Sequence, residues 1–513
     1  MQDKDILENV TATVSTSTGD VVGLRVASGA VFRGVPYAAS PIGDLRFRPP
    51  QPHPTWDTPR LATAFGPSAP QSLPAPPFGL LFQPAYPSES GCLTLNVWSP
   101  DIGEVGLPVM VWIHGGGLAD GCGADPAYDG INFSRDGVVF VSINYRLGIL
   151  GFLHTGAISD FDSGTGCFGL LDQVAALEWI QLNIARFGGD PSNVTIFGES
   201  AGGWSVASLL VAPAARGLFA RAICQSGAGS HALSPQTAER VAQRFLELVH
   251  VRSGDSDSLA GLSVDEILVA QEILYGEGMA TDQDASHLLG DSAGLLLCLL
   301  PVIGVDLPGR PEDLVAEGKG ADVDLLVGSN REEYGLYHLV KGGIFSEETM
   351  RSTAELGLQQ LGRSLNEVLL KYAFNRRIAF LGAYEQLETD RFFRAPTLRL
   401  ARNHARSGGK TYLYSLNWSG TALGSCHVSD VPFVFDQLNG TMGRILVGEN
   451  APQSLANDIH HSWVEFAKSG QPHLDDGTPW HQYDTDKRMT MNLDIPCKES
   501  SDPDRFIREI WVD

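Results

Sequence analysis

A serine lies between two glycines in the segment Gly198-Glu199-Ser200-Ala201-Gly202. An apolar stretch, Val194 to Phe197, comes directly before it, and a helical pattern from Trp204 to Leu210 follows. A sharp turn between a strand and a helix exposes the serine hydroxyl and leaves no room for side chains two positions before and after it. The hydroxyl also lies at the amino end of a helix, where developing negative charge is stabilised. Ser200 is therefore a candidate nucleophile for acyl transfer.

A second glycine motif lies upstream of Ser200, and the two motifs together indicate an active site more specifically than either one alone. The apolar stretch Val109 to Ile113 predicts a strand and ends in His114-Gly115-Gly116-Gly117. A His-Gly-Gly-Gly segment after a strand supplies backbone amides to the oxyanion of a tetrahedral intermediate. We expect the amides of Gly116, Gly117 and Ala201 to form this oxyanion hole.

A serine nucleophile needs a base and an acid, and on a sheet of this kind both follow the serine, the acid first. The stretch Leu325 to Val327 predicts a strand, and the first acidic residues beyond it are Glu332 and Glu333. Either carboxylate could orient a histidine, and position alone does not choose between them.

His427 is the candidate base, because it follows a predicted strand, Thr411 to Leu416, and a Gly424-Ser425 loop. The other six histidines after Glu333 lie close behind the acid, in helical patterns or in a late polar stretch: His338, His404, His460, His461, His473 and His481. In the expected reaction His427 takes the proton of Ser200 and returns it to the leaving alcohol. This chemistry needs no metal or organic cofactor.

To bring the serine, the acid and the histidine together, the strands before them must lie in one sheet with their carboxyl ends at the same edge. The segment from Ala12 to Phe32 predicts antiparallel strands with tight turns. Apolar runs then alternate with helical patterns, which favours a mostly parallel sheet with helices on both faces. The helix with the clearest pattern runs from Leu170 to Phe187, with one face turned inward, and ends at Gly188-Gly189. We expect one domain over residues 1–513, with a helical insertion over the site at roughly 234–317.

The composition of the 513 residues fits a globular enzyme, with 43% hydrophobic and 19% charged residues. The formal net charge of -24 would repel nucleic-acid phosphates and anionic membrane surfaces, so we expect no nucleic-acid partner. The seven cysteines are scattered, which predicts neither a zinc site nor a disulfide framework. With no run long enough to span a bilayer, we expect a cytoplasmic protein, or a secreted one if a signal peptide was removed. The oligomeric state stays open.

The residues resemble the type-B carboxylesterase and cholinesterase-like family over nearly the whole chain. The resemblance is carried by the elbow at Ser200 and by these segments: 32–38, 41–47, 92–98, 144–148 and 169–173. It implies an α/β-hydrolase fold and a small carboxylic ester as substrate. It also selects Glu333 as the acid and supports His427, because 327–333 and 427–435 are similar to the family's acid and histidine segments. Glu199 and Ser226 match positions that line or buttress the family's site.

The chain departs from the family pattern in two places. No cysteine precedes Cys92, so the disulfide of secreted eukaryotic members is absent, and residues 67–91 offer Phe78, Phe82 and Tyr86 but no choline-binding tryptophan. A true cholinesterase is therefore disfavoured. Gly164 to Gly169 fits Gly-x-Gly-x-x-Gly, but the polar segment before it argues against a dinucleotide site.

Leu118 and Trp204 flank the two motifs and are candidates for the acyl pocket, although core packing explains Trp204 equally well. Two other function classes remain open at this point. An amidase or acyltransferase would share the acyl-enzyme, and a binding protein of this family would keep the fold without the chemistry.

Overall fold

The computed structural model describes residues 6–72, 78–83, 86–156, 166–279, 288–290, 297–339 and 347–513. In these ranges thirteen strands join in one sheet, with the order β1-β2-β3-β5-β7-β6-β8-β9-β10-β11-β12-β13 and β4 paired to β2. The strands are β1 (Ile6–Ser15), β2 (Asp20–Val26), β3 (Gly29–Pro36), β4 (Arg60–Leu61), β5 (Thr94–Ser99), β6 (Leu107–Ile113), β7 (Val139–Ile143), β8 (Gly189–Glu199), β9 (Arg221–Gln225), β10 (Asp324–Asn330), β11 (Thr411–Leu416), β12 (Met489–Leu493) and β13 (Lys498–Ser501).

The strands from β7 to β12 along this order pair in parallel. The two margins of the sheet are antiparallel, except that the two-residue strand β4 pairs in parallel with β2. The predictions of antiparallel strands near the amino end and of a mostly parallel sheet are both confirmed. The stretch Leu95 to Trp98 lies in β5, which is antiparallel to its neighbours β3 and β7. Strands β9, β12 and β13 were not predicted, because short segments such as Arg221–Gln225 carry little periodic signal.

The helices of the described residues are α1 (Ile131–Arg135), α2 (Gly148–Phe152), α3 (Phe168–Asn183), α4 (Ala201–Leu209), α5 (Pro235–Leu248), α6 (Ser256–Gly261), α7 (Val264–Met279), α8 (Pro311–Ala316), α9 (Glu347–Gln360), α10 (Leu365–Arg376), α11 (Phe380–Thr389), α12 (Ala395–Arg406), α13 (Val431–Val434), α14 (Thr441–Leu446), α15 (Gln453–Ser469) and α16 (Arg505–Trp511). They cover both faces of the sheet. Side chains of β6 alternate between two hydrophobic clusters, with Val111 in the cluster that includes α3 and α4, and Trp112 in the cluster that includes α13 and α15.

The helix predicted from Leu170 to Phe187 is observed as α3 followed by a 3-10 turn, and it ends at Gly188 with a positive φ of 90°. The prediction of one inward face was too narrow. Only Glu178 and Leu182 of α3 are exposed, because other elements cover the helix on nearly every side.

Two helical segments interrupt the strands beside the site. In 234–317, the region predicted as a helical insertion, the described residues include α5 to α8. A second helical segment, α9 to α12, lies between β10 and β11 and was recognised in the sequence only at its basic end, Leu398 to Arg406. Among the described helices, none is long and apolar enough to cross a membrane.

Candidate active site

Ser200 occupies a sharp turn between β8 and α4. Its φ of 57° and ψ of -121° are strained for a residue with a side chain, and its backbone amide donates to the Gln225 carbonyl at 2.9 Å. A Cβ at Gly198 would approach the backbone of Gly202 to 2.6 Å, and one at Gly202 would lie 2.0 Å from the Ile113 oxygen. The two glycines are therefore required by the close contact of the turn with itself and with β6.

The loops after β10 and β11 bring Glu333 against His427. Oε2 of Glu333 lies 2.7 Å from Nδ1 of His427, and Oε1 accepts the Asn330 amide at 2.7 Å. Both side chains are buried, and the His427 amide donates to the Glu333 carbonyl at 3.1 Å. Glu332 points elsewhere, because it pairs with Arg331 and accepts the Ser425 amide. Of the two candidate acids, Glu333 contacts the histidine.

Glu199 approaches the other edge of the His427 ring. Its Oε1 lies 3.3 Å from Nε2, so the ring nitrogen that Glu333 leaves free faces the residue next to Ser200. Burial raises the pKa of Glu199 to about 8, against the opposing effect of His427. Burial lowers the pKa of His427, but Glu199 and Glu333 more than offset this effect and raise it to about 9. The two carboxylates thus stabilise the imidazolium.

The glycine loop after β6 lies against the serine turn. A Cβ added at Gly115 would lie 3.3 Å from the Cβ of Ser200, and Gly116 and Gly117 both have positive φ. Within the described residues, the amides of Gly116, Gly117 and Ala201 donate to no protein acceptor. These three amides therefore have no acceptor in the described part of the chain, and their role as an oxyanion hole stays a prediction.

His114, the residue before the three glycines, packs on Tyr145 and is neutral. Its ring stacks on Tyr145 with centroids 4.5 Å apart, and the Tyr145 hydroxyl donates to the His114 carbonyl at 2.8 Å. Burial lowers the pKa of His114 to about 4. The hydrogen bond from Tyr145 thus helps to position the loop, and the imidazole of His114 is uncharged.

The three remaining pocket candidates are buried near the site. Leu118 has a positive φ of 61° and accepts the Gly148 amide through its carbonyl, so it belongs to the turn that follows the glycines. Trp204 lies one helical turn after Ser200 and stacks on His231. Ser226 directly follows β9, and its hydroxyl is buried without a partner in the described part of the chain.

Aromatic side chains around His427 were not predicted from the sequence. The ring of Phe393 lies 4.7 Å from the imidazole, and that of Tyr337 lies 6.1 Å away and nearly parallel. Phe393 belongs to a π-helical turn, Asp390–Arg394, between α11 and α12. Single π-helical turns inside α-helices are frequent at functional sites, but they leave no periodic signal in the sequence.

Within the described residues, none of the other sequence candidates is placed at this site. Tyr86 is largely exposed, Phe82 packs at the edge of the α13 and α15 cluster, and the side chain of Phe78 lies outside the described residues. Gly164 and Thr165 of the glycine-rich segment also lie outside them, and the helix that follows begins at Phe168. In the ranges that the structure covers, no group of three or more His, Cys, Asp or Glu could hold a metal.

Comparisons with known proteins agree on one family. The model of the carboxylesterase family matches residues 10–505. Para-nitrobenzyl esterase of Bacillus subtilis (strain 168) is 34% identical over 502 residues, which cover 97% of each chain, and phenmedipham hydrolase of Pseudarthrobacter oxydans is 32% identical over 496 residues, which cover 92% of each. A solved structure of a PNB esterase superposes with a TM-score of 0.85 at 32% identity and covers 98% of this chain and 100% of its own. The prediction of an α/β-hydrolase fold is confirmed.

Proposed function

The chain belongs to the carboxylesterase family and is a carboxylic ester hydrolase, and we propose that it acts through a covalent acyl-enzyme on Ser200, with His427 as base and Glu333 as its acid partner. One observation carries this proposal. Glu333 binds Nδ1 of His427 at 2.7 Å, which leaves Nε2 on the side of Glu199, the neighbour of Ser200 in the chain. A small carboxylic ester is the substrate.

The first half of the reaction forms the acyl-enzyme. Nε2 of neutral His427 takes the hydroxyl proton as Oγ of Ser200 adds to the ester carbonyl carbon. The negative charge moves to the carbonyl oxygen, where the amides of Gly116, Gly117 and Ala201 donate to it. His427 then gives its proton to the alkoxide as the bond between the carbonyl carbon and the alcohol oxygen breaks. Glu333 stabilises the imidazolium between these two transfers.

Water completes the cycle by the same proton transfers. His427 takes a proton from a water molecule, the hydroxide oxygen adds to the acyl carbon, and the carboxylic acid leaves as the proton returns to Ser200. Amide hydrolysis and acyl transfer to an alcohol would use the same acyl-enzyme. Ester hydrolysis is favoured over these alternatives because the para-nitrobenzyl esterase relative carries that activity in its name.

Replacement of the nucleophile tests the proposal. We expect Ser200→Ala to lower kcat for a p-nitrophenyl ester by a factor on the order of 10⁵ or more, because no other step can start the reaction. Release of p-nitrophenol is the measurement, and an intact-mass shift equal to the acyl group should appear with the unmodified protein and a slow ester. The matching p-nitroanilide, and added alcohol, report amidase and acyltransferase activity.

Ser208→Ala is the matched control. Ser208 lies on the same helix α4, fully buried, and its hydroxyl has no partner among the described residues, so its removal breaks no hydrogen bond. This variant should keep its activity. Ester turnover by Ser200→Ala within a few fold of the unmodified protein, or acylation at another residue, would overturn the assignment.

A further inference from the structure

Asn330 is a buried residue that contacts both the proposed acid and the loop of the proposed base. It is the last residue of β10 and is 1% exposed. Its backbone amide donates to Oε1 of Glu333 at 2.7 Å, and its side-chain Nδ2 donates to the Cys426 carbonyl at 2.8 Å. Cys426 directly precedes His427 in the loop between β11 and α13, which we call the base loop. One residue therefore contacts both sides of the hydrogen bond between Glu333 and His427.

The orientation of the Asn330 side-chain amide follows from the chemistry of its partner. A backbone carbonyl can only accept a hydrogen bond, so the amide nitrogen and not the oxygen must face Cys426. The side-chain oxygen Oδ1 makes no hydrogen bond within the described residues. The side chain therefore acts on the base loop through one donor, which an apolar side chain of similar size would lack.

The base loop is fixed to the turn after β10 at three consecutive residues. The first and third contacts are made by backbone amides, since the Glu332 amide donates to the Ser425 carbonyl at 3.0 Å and the His427 amide donates to the carbonyl of the acid. The middle contact, from Asn330 to Cys426, comes from a side chain. A substitution of Asn330 can therefore remove this contact and leave the two backbone contacts in place.

Loss of the Asn330 donor changes the position of the base loop more than the stability of the fold. The Cys426 carbonyl also accepts the Ser429 amide at 3.1 Å, a hydrogen bond inside the base loop. This carbonyl therefore keeps one partner when Asn330 is replaced, and no desolvated acceptor remains. What is lost is the link between the end of β10 and the residue that precedes His427.

We propose that Asn330 is a positioning residue whose side-chain amide holds His427 against Glu333 during the reaction. The proposal rests on the proposed function, because it concerns the same acid and base. Oε2 of Glu333 lies 2.7 Å from Nδ1 of His427, and this distance depends on where the base loop lies. Displacement of a catalytic group by about 1 Å can lower a rate on the order of 100-fold, so a single hydrogen bond to the loop affects the rate strongly.

Asn330→Leu and Asn330→Ala test the proposal, because both remove the donor and keep the backbone amide that binds Glu333. We expect kcat for a p-nitrophenyl ester to fall about 10- to 100-fold in each variant. KM should stay within about twofold, because acylation and deacylation use the same imidazole and slow together. The proton that Nδ1 of His427 shares with Glu333 should give a low-field proton NMR resonance in the unmodified protein. In both variants this resonance should shift or broaden.

Asn417→Leu is the matched control. Asn417 directly follows β11, lines the same polar pocket as Asn330 and donates through its side-chain amide to Asn492 at 3.0 Å. This variant loses a side-chain hydrogen bond of the same kind that does not involve the acid or the base, so it should keep kcat and the NMR resonance.

Unchanged kcat and an unchanged resonance in either folded Asn330 variant overturn the proposal, as does an equal fall of kcat in Asn417→Leu. Because Asn330→Leu keeps the volume of the side chain and Asn330→Ala avoids any clash, either variant alone decides the case if the other does not fold. Absence of ester turnover by the unmodified protein above the Ser200→Ala background would instead refute the proposed function.

Discussion

His427 lies between two carboxylates that act on opposite edges of its ring. Glu333 holds Nδ1, and Glu199 lies 3.3 Å from Nε2, the nitrogen that has to take the serine proton. A raised pKa makes His427 a stronger base but also keeps it protonated, and so unable to accept a proton, up to a higher pH. The charge of Glu199, together with those of Glu333 and Asp430, therefore raises the pH above which the proposed base is available.

Glu199→Gln tests this effect on pH dependence. The substitution removes a negative charge beside Nε2, so the pKa of His427 should fall from its raised value of about 9. The active neutral form then exists at lower pH, and the acidic limb of kcat/KM should move to lower pH. A pH profile of kcat/KM is the measurement, with Glu332→Gln as a control that should not move the limb. A limb that stays in place or moves to higher pH would contradict the prediction.

At the scale of elements, the site depends on turns that follow neighbouring parallel strands. Ser200 follows β8, Glu333 follows β10, and His427 lies on the loop after β11. Because β8, β9, β10 and β11 pair in parallel, their carboxyl ends meet at one edge of the sheet. The 3-10 turn at Glu333–Leu339 then decides which of two adjacent glutamates faces inward.

Glu333→Gln and Glu332→Gln form a matched pair for this turn. The neutral amide of Glu333→Gln would no longer fix the tautomer or stabilise the imidazolium of His427, so kcat should fall on the order of 10³- to 10⁴-fold. The side-chain carbonyl of Glu332→Gln can still accept the Ser425 amide, and kcat of this variant should fall less than about tenfold. Steady-state turnover of one p-nitrophenyl ester compares the two. Equal losses would show that the turn does not discriminate between them.

At the scale of the whole molecule, side-chain hydrogen bonds connect segments far apart in sequence with the helix that follows Ser200. Arg146, which follows β7, forms two side-chain hydrogen bonds of 2.7 Å with Asp172 of α3 and donates to the Arg48 carbonyl. Both members of the ion pair are almost fully buried, at 2% and 0% exposure. Next to Asp172, Gln173 donates to Ser205 of α4, the helix that carries the nucleophile turn.

Arg146→Met should destabilise the whole fold, because it leaves the Asp172 carboxylate buried without its cation. Loss of one partner of a buried pair costs about 3–5 kcal/mol of unfolding free energy. Denaturant unfolding measures this loss, and Asp172→Leu in the same chain should recover part of it. Arg505→Met removes an exposed pair with Glu509 and should cause no measurable loss. Equal stability of the two single variants would refute the structural role of the buried pair.

The sequence by itself determined the local features of this protein. The elbow at Ser200, the three glycines after His114 and the strands around them follow from short-range rules on sterics and periodicity, and they are observed where the sequence predicted them. These rules act between neighbours in the chain, so one sequence suffices to read them.

Only the tertiary structure decided which distant side chains meet. Their positions in the sequence left Glu332 and Glu333 equivalent until a turn directed Glu333 to His427, and nothing in the sequence connected Phe393 with the site. These contacts join residues tens of positions apart through the register of parallel strands and a π-helical turn. Such contacts follow from the packing of whole elements, which no local pattern of residues specifies.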